Sequence, residues 1–211
     1  MKSVKVAKGG HRLLLWVILA WPFSLYSAEQ ESSRFVPVGT PADLQYAAQL
    51  WSAMVEEKIE GEGRKSNPPF FGGARPHGEI LELSDQNLRV GSHTGFIVVK
   101  RNYGQAGVAD VRGRVTVERV TQNRAKFLDS ITVMYQRESG YDDLHQNWFW
   151  AKFRPDGSLF RKRIEGRETA LAGRLLKGKQ REDNAGCIYC HSAAGGGDYI
   201  FYPEITSRRS H

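Results

Sequence analysis

Residues 147–157 read NWFWAKFRPDG, an aromatic run followed by a turn sequence. The aromatic and apolar residues of Asn147–Phe153 are typical of a β-strand, because large and branched side chains suit a pleated surface. Proline, aspartate and glycine in Arg154-Pro155-Asp156-Gly157 favour a hairpin turn. The turn leads into a further expected strand at Ser158–Arg163. The stretch therefore predicts two consecutive strands of a sheet.

Similar segments precede this stretch, each rich in β-branched and aromatic residues and bounded by turn formers. They are Gly78–Leu83, Gly95–Arg101, Arg114–Val120 and Ser130–Arg137. Strands that follow one another without intervening helices indicate an antiparallel sheet. The sequence therefore predicts a fold dominated by such a sheet.

Helices are expected at both ends of this strand-rich region. Thr40-Pro41 combines an N-cap residue with proline at the first helical position, and apolar residues recur at helical spacing up to Ile59. An amphipathic helix is thus predicted from Pro41 to Ile59. A short helix is expected at Glu168–Leu176, and Asp198–Tyr202 is expected to form a last strand or extended segment.

The only two cysteines of the chain stand in Cys187-Ile188-Tyr189-Cys190-His191. Two thiols at this spacing can bond the two vinyl groups of a haem, and the following histidine then ligates the iron. A CxxC redox disulfide normally lies at the start of a helix early in a βαβ unit, and no such unit is predicted here. A structural zinc site would need further ligands. The motif therefore predicts one covalent haem c, held by Cys187 and Cys190, with His191 as the iron ligand.

The predicted fold class is accordingly α+β. It consists mainly of antiparallel β-sheet, with an N-terminal amphipathic helix and a C-terminal helix that carries the CxxCH haem-attachment motif. The length and the apolar content of residues 41–211 suit a single domain with one core.

The N-terminus has the pattern of an export signal. Its cationic residues and the apolar run of residues 13–21 are followed by the small pair Ser27-Ala28. The run is shorter than the ~20 residues that span a bilayer. Residues 1–28 are therefore predicted to be a cleaved signal peptide, with a membrane anchor as the alternative. Residues 29–40 then form a leader. Because haem c is attached outside the cytoplasmic membrane, the expected location is the periplasm.

Net charge argues against a nucleic-acid partner. The chain carries +7, but four of these charges lie in residues 1–28, which contain no acid, so +3 remains. No nucleic acid is therefore expected as a partner. The run Arg161-Lys162-Arg163 is interpreted as a solvated strand end, with steering of an acidic electron-transfer partner as the alternative.

No sixth iron ligand is evident from the sequence. No methionine follows His191, and Met54 and Met134 lie in apolar patterns that indicate core positions. His77, His93 and His145 are interpreted as structural residues, although His77 could line the haem edge. An iron with one open face binds small molecules, whereas an iron with two protein ligands mainly passes electrons.

Several segments between Leu44 and Tyr202 carry a family resemblance. They are Pro76–Gly78, Gly95–Lys100, Ile131–Met134, Glu138–Asp142, Trp148–Phe153, Pro155–Gly157, Gly186–His191 and Gly197–Phe201. With these segments the chain resembles the cytochrome P-460 family, which includes the cytochromes c′-beta.

The resemblance implies a sheet-rich homodimer with a five-coordinate haem. Family members with a lysine bonded to the macrocycle oxidise hydroxylamine and interact with nitric oxide. Members without that bond bind gases such as nitric oxide. The expected function is therefore a periplasmic mono-haem cytochrome that oxidises hydroxylamine or binds nitric oxide, with another periplasmic cytochrome as redox partner. The alternatives are a non-catalytic nitric-oxide binder and a simple electron-transfer cytochrome.

Two further site residues are expected. Lys100 ends an apolar strand and is the candidate for the lysine–haem bond, the alternative being a strand-end lysine that reaches solvent. Glu138 is the first candidate for a base that accepts the protons released by oxidation, followed by Asp142 and Asp143. Aromatic residues that could cap the open side are Phe70, Phe71, Phe96, Trp148 and Trp150.

Overall fold

A computed structural model of the chain describes residues 38–105, 113–164, 166–175 and 186–201. The expected signal peptide at 1–28 and most of the leader, up to residue 37, lie outside these residues. Among the helices of the described ranges, none has the length and apolar character needed to cross a bilayer.

Helix α1 covers Pro41–Glu56. A capping box fixes its start: the Asp43 backbone amide donates to Thr40 Oγ1 at 3.2 Å, and the Thr40 amide donates to the Asp43 carboxylate at 3.0 Å. Leu50 and Met54 are among the side chains that it buries. The helix ends at Glu56 rather than at the expected Ile59.

Within the described residues, one sheet contains six strands in the order β1-β2-β3-β4-β5-β8, and every neighbouring pair is antiparallel. The strands are β1 Phe70–Phe71, β2 Gly78–Val90, β3 His93–Gln105, β4 Leu128–Gln136, β5 Trp148–Phe153 and β8 Ala172–Gly173. Strands β6, Arg161–Ile164, and β7, Arg167–Ala170, form a separate antiparallel pair. The prediction of an α+β fold dominated by antiparallel sheet is confirmed.

The strand predicted at Arg114–Val120 is wrong. Helix α2 covers Val117–Gln122, and helix α3, Arg124–Phe127, follows it. The Thr116 hydroxyl accepts a hydrogen bond from the Arg119 amide at 3.3 Å and so caps α2. This local cap outweighs the strand preference of the surrounding valines.

The helix predicted at Glu168–Leu176 is also wrong, because this segment forms β7 and then β8. Leu176 lies outside the described residues. Ala170, the last residue of β7, and Ala172, the first residue of β8, are both buried. Gly173 has a φ of +105° and would collide with Asp43 if it carried a Cβ atom, so the backbone there is suited to a close approach and not to a helix.

The two faces of the sheet bury two different apolar clusters. The helix face packs against α1, and its core includes Ile97, Val133 and Phe149. The other face, here called the motif face, buries Phe96, Val98, Met134, Trp148, Trp150, Leu175 and Ile188. Alternation along each strand assigns neighbouring residues to opposite faces.

The CxxCH motif lies on the motif face. It forms helix α4, Cys187–His191, whose Ile188 is buried in that cluster. The Ile188 amide donates to the Leu175 carbonyl at 3.1 Å, which ties the helix to the chain just after β8. Residues 198–201 are not in a strand, contrary to one of the two expectations for that segment.

Candidate functional site

His191 is buried and held in one orientation. Its Nδ1 donates to the Tyr199 carbonyl oxygen at 2.7 Å, so the lone pair is on Nε2. The Trp150 ring packs on it at a centroid distance of 4.7 Å, and the Phe201 ring lies at 5.2 Å. Burial lowers the pKa of His191 to about 4, which keeps the imidazole neutral at neutral pH. A neutral imidazole that is fixed through Nδ1 and has its lone pair on Nε2 is in the state that ligates a metal.

The two cysteines of α4 are free thiols in different surroundings. Cys187 packs against the apolar cluster of the motif face, while Cys190 is exposed. Burial raises the pKa of Cys187 to about 11, so it is a thiol at neutral pH. Residues three apart on a helix share a side, so both sulfurs can reach one planar group beside the helix.

Lys100 lies on the motif face, in a row of three residues that run across the sheet. The register pairs Lys100 with Thr132 on β4, and Thr132 with Lys152 on β5. Burial lowers the pKa of Lys100 and that of Lys152, and the nearby Cys187 opposes both shifts. Two lysines, and not one, therefore approach the CxxCH helix.

Lys152 was missed at the sequence level although a signal was present. In WFWAKF, residues Trp148, Trp150 and Lys152 alternate and so share one face of β5. The Lys152 amine lies 3.5 Å from the Pro76 carbonyl oxygen and 5.0 Å from the centre of the Phe160 ring.

His77 is the second histidine of the site. Its ring centre lies 6.3 Å from that of His191, with an angle of 81° between the ring planes. The His77 Nδ1 lies 3.2 Å from Asn102 Oδ1. Burial lowers the pKa of His77 to about 3, so it too is neutral. The structure thus brings together His77, Lys100, Lys152 and the CxxCH helix.

Asn102 determines the orientation of His77. The Asn102 Nδ2 group donates to the carbonyls of Lys100 and Ser130, each at 3.1 Å. Its Oδ1 is therefore the acceptor, and it also receives the Gly78 amide at 3.2 Å. An acceptor at this position requires the proton of His77 to be on Nδ1, which leaves the lone pair on Nε2.

The carboxylates proposed as bases have other partners. Glu138 forms an ion pair with Arg137, and the hydrogen bond from Arg137 lowers its pKa. Arg137 itself stacks on Tyr46 of α1, on the helix face. Asp142 is buried and accepts from His145 at 2.9 Å, while Asp143 accepts from the Gly140 amide at 2.9 Å.

The other expected site residues divide between the site and the rest of the sheet. Phe96, Trp148 and Trp150 belong to the motif face, whereas Phe70 and Phe71 form the edge strand β1. Met54 is in the helix-face core, and Met134 packs in the motif-face cluster. His93 lies with Nε2 at 3.1 Å from the Gln136 carbonyl, in a structural contact.

The donors on α4 are the thiols of Cys187 and Cys190 and the imidazole of His191. In the part of the chain that the structure describes, no three or more histidine, cysteine, aspartate or glutamate side chains are arranged to chelate an ion. Structural zinc needs four protein ligands. A porphyrin instead supplies the equatorial nitrogens itself. A covalently attached haem then requires axial ligands, two thiols and an apolar surface from the protein.

These requirements match the residues beside α4. His191 offers Nε2, Cys187 and Cys190 offer thiols on one side of a helix, and the cluster around Trp150 offers an apolar surface. The function has to be inferred from these residues, since comparison of the chain with protein-family models, with curated proteins and with solved structures finds no match.

Proposed function

We propose that this chain is a c-type cytochrome in which Cys187 and Cys190 hold one haem covalently and His191 ligates its iron. The observation that carries the proposal is the state of His191: buried, neutral and fixed through Nδ1 by the Tyr199 carbonyl, on the same short helix as both thiols. Metal-ligating histidines almost always have such a bond on the other ring nitrogen. The proposal thus has two parts, the covalent attachment of the haem and the reaction that takes place at its iron.

We infer that the reaction is the oxidation of hydroxylamine or the binding of nitric oxide, as in the cytochrome P-460 family that the chain resembles. When bound, the haem supplies an iron that can take the nitrogen compound as a ligand and accept its electrons. The apolar side chains of Phe96, Val98 and Met134 limit access of water to the motif face.

Two lysines are candidates for a bond to the macrocycle, in which the amine nitrogen would replace a ring hydrogen and the two electrons and two protons released would pass to an added oxidant such as a peroxide. Lys100 is the first, because burial lowers its pKa and so increases the fraction of the nucleophilic neutral amine. Lys152 is the second, because the same holds for it on the neighbouring side of Thr132. The lysine that stays unbonded is a proton acceptor within the site.

Glu138 is a weaker candidate for this proton transfer. Its carboxylate is ionised and paired with Arg137, and the Glu138 side chain is 47% exposed. A low pKa makes a weak base, and an exposed carboxylate interacts with water more than with a buried ligand. We therefore assign proton transfer to the lysine row and not to Glu138.

The remaining parts of the proposal rest on the N-terminal sequence and on the family resemblance. The protein is exported to the periplasm by residues 1–28, forms a homodimer, and passes electrons to another cytochrome. The cationic residues Arg161 and Arg163 are exposed on β6 and offer an acidic partner a place to dock.

The test is to express the full chain together with a cytochrome c maturation system. Intact mass reports whether one haem is attached, and peptide mapping after digestion reports whether Lys100 or Lys152 carries a second bond. Turnover of hydroxylamine and spectral titration with nitric oxide then test the reaction. A chain that leaves the maturation system without covalent haem contradicts the proposal. A holoprotein that neither oxidises hydroxylamine nor binds nitric oxide contradicts the proposed reaction.

The position of His77 favours a second candidate function, electron transfer. A histidine ring 6.3 Å from His191 leaves less room for a small molecule than an open face would. An electron-transfer cytochrome would neither oxidise hydroxylamine nor bind nitric oxide, whereas the proposed function requires at least one of the two. Hydroxylamine turnover and titration of the reduced holoprotein with nitric oxide together distinguish these candidates.

A further inference from the structure

We infer that His77 is the second axial ligand of the iron, so that the resting haem is coordinated by protein on both sides. The inference rests on the proposed function, because it requires the haem to be present. It changes the expected coordination: a small ligand would have to displace His77 before it could reach the metal.

The first argument is the separation of the two imidazoles. Metal–nitrogen bonds to histidine are about 2.0–2.1 Å long, so one metal ion bonded to two facing imidazoles holds their centres roughly 6 to 6.5 Å apart. The centres of His77 and His191 are 6.3 Å apart. A histidine that only donates a hydrogen bond to an iron-bound molecule would have to stand further away, because that molecule occupies the space between them.

The second argument is that both rings have the same hydrogen-bonding state. Each has Nδ1 directed at an oxygen, Asn102 Oδ1 for His77 and the Tyr199 carbonyl for His191. Each therefore keeps a lone pair on Nε2, the state that ligates a metal.

The third argument is that His77 differs from His93 and His145 in its surroundings. His93 directs Nε2 at the Gln136 carbonyl, so that nitrogen is a donor. His145 is paired with the carboxylate of Asp142. Neither ring is placed against His191, whereas His77 is.

The fourth argument is that the support of His77 is rigid. Asn102 lies in the centre of the sheet, on the same face of β3 as Lys100, and it is buried. Its amide bonds two strand carbonyls as well as His77 and the Gly78 amide. A ligand held by such a network loses little entropy when it binds the metal.

The experiment is spectroscopy of the ferric holoprotein at neutral pH. The inference predicts a low-spin absorption spectrum. It also predicts a strongly anisotropic low-spin EPR signal, because the two imidazole planes are 81° apart. The variant His77→Ala should become high-spin, and added imidazole should return it to low-spin. The matched control His93→Ala should remain low-spin, since the His93 ring bonds a strand carbonyl and packs against the Tyr135 ring.

Two results would overturn the inference. One is high-spin ferric iron in the unmodified holoprotein, a measurement that does not depend on whether any variant folds. The other is a His77→Ala holoprotein that remains low-spin without imidazole. In both cases the covalent haem of the proposed function is unaffected. Absence of covalent haem, in contrast, would end the proposed function and this inference together.

Discussion

Glu82 is the residue on which most buried charges of the helix face converge. Its side chain is fully buried and accepts from Arg64 at 2.7 Å, from Tyr103 at 2.6 Å and from Arg124 at 3.2 Å. Arg101, which is also buried, pairs with Glu60 at 2.7 Å and lies 3.7 Å from Glu82. This network attaches the segment after α1, and helix α3, to the sheet.

Replacing Glu82 by glutamine should destabilise the protein by about 3 kcal/mol or more at pH 7, because it removes the buried carboxylate that pairs with Arg64 and Arg124. Urea unfolding of the two proteins measures this difference. The matched control is Glu138→Gln, whose exposed carboxylate pairs only at the surface and should cost less than about 1 kcal/mol. Equal effects of both substitutions would contradict the assignment.

The same residue determines a pH dependence. Burial opposes the shift, but the hydrogen bond from Arg64, followed by that from Tyr103, lowers the pKa of Glu82 below its ordinary 4.5. The unfolded chain therefore takes up a proton before the folded chain does, and stability falls as the pH drops below about 4.5. The Glu82→Gln protein should lose less stability than the unmodified protein between pH 5 and pH 3. An identical acid slope in both proteins would show that other groups are responsible.

Glu138→Gln also tests the catalytic assignment. We expect hydroxylamine turnover to change less than about twofold, since general-base catalysis contributes roughly 10²–10⁴-fold and Glu138 is paired with Arg137 instead. Steady-state kinetics of the holoprotein measure this. A loss of a hundredfold would restore Glu138 as the base.

At the scale of elements, helix α1 begins at Thr40, and its capping box makes a specific prediction. Thr40→Ala removes the side-chain oxygen that accepts from the Asp43 amide and should cost about 1 kcal/mol. Ser52→Ala is the control, because the Ser52 hydroxyl only bonds the Ala48 carbonyl on an exposed turn. Chemical unfolding curves compare the two. If Ser52→Ala lowers the free energy of unfolding as much as Thr40→Ala does, the cap makes no special contribution to stability.

The turn after β5 is held against α1 by a close approach. Gly157 has a φ of +85°, and a Cβ atom there would overlap the indole ring of Trp51. Gly166 has a φ of +77°, with open space around it. Gly157→Ala should therefore destabilise the protein by roughly 1–3 kcal/mol more than Gly166→Ala, because only the first must displace a packed aromatic ring. Thermal unfolding of both variants isolates the steric part, since both share the backbone strain.

The elements also show what sequence reasoning can reach. Strands β3, β4 and β5 were predictable because their apolar and β-branched runs match buried strands that are central in the sheet. Strand β2 continues to Val90, past the expected Leu83, since Ser84–Asn87 are polar but pair along β3. Helix α2 was missed because the Thr116 cap is a local signal that valine propensity obscured.

The site was predictable in part for a similar reason. The CxxCH motif is a local pattern, and Lys100 follows from strand alternation. Alternation also puts Lys152 on the face of Trp150, but local patterns could not place His77 beside His191, because the order of the strands and a turn before β2 bring it there. The proton position on His77 depends on Asn102, whose amide is oriented by carbonyls of two different strands.

At the scale of the whole molecule, the helix-face core does not depend on the motif. It is built from α1 and from alternate residues of β2 to β5, none of them in α4. A Cys187→Ala/Cys190→Ala protein, which cannot attach haem by thioethers, should therefore keep the sheet signature in far-UV circular dichroism and unfold cooperatively in urea. Loss of cooperative unfolding in that protein would show that the haem side is needed for the fold.

The row Lys100–Thr132–Lys152 has one more consequence, for how the gene can change. Successive residues of a strand face opposite ways, so inserting or deleting one codon within β3 or β5 would turn the amine of Lys100 or Lys152 toward the opposite face of the sheet. Length changes within these strands are thus tolerable only in pairs or as bulges. Insertions and deletions in this protein should instead accumulate in the segments that connect the strands.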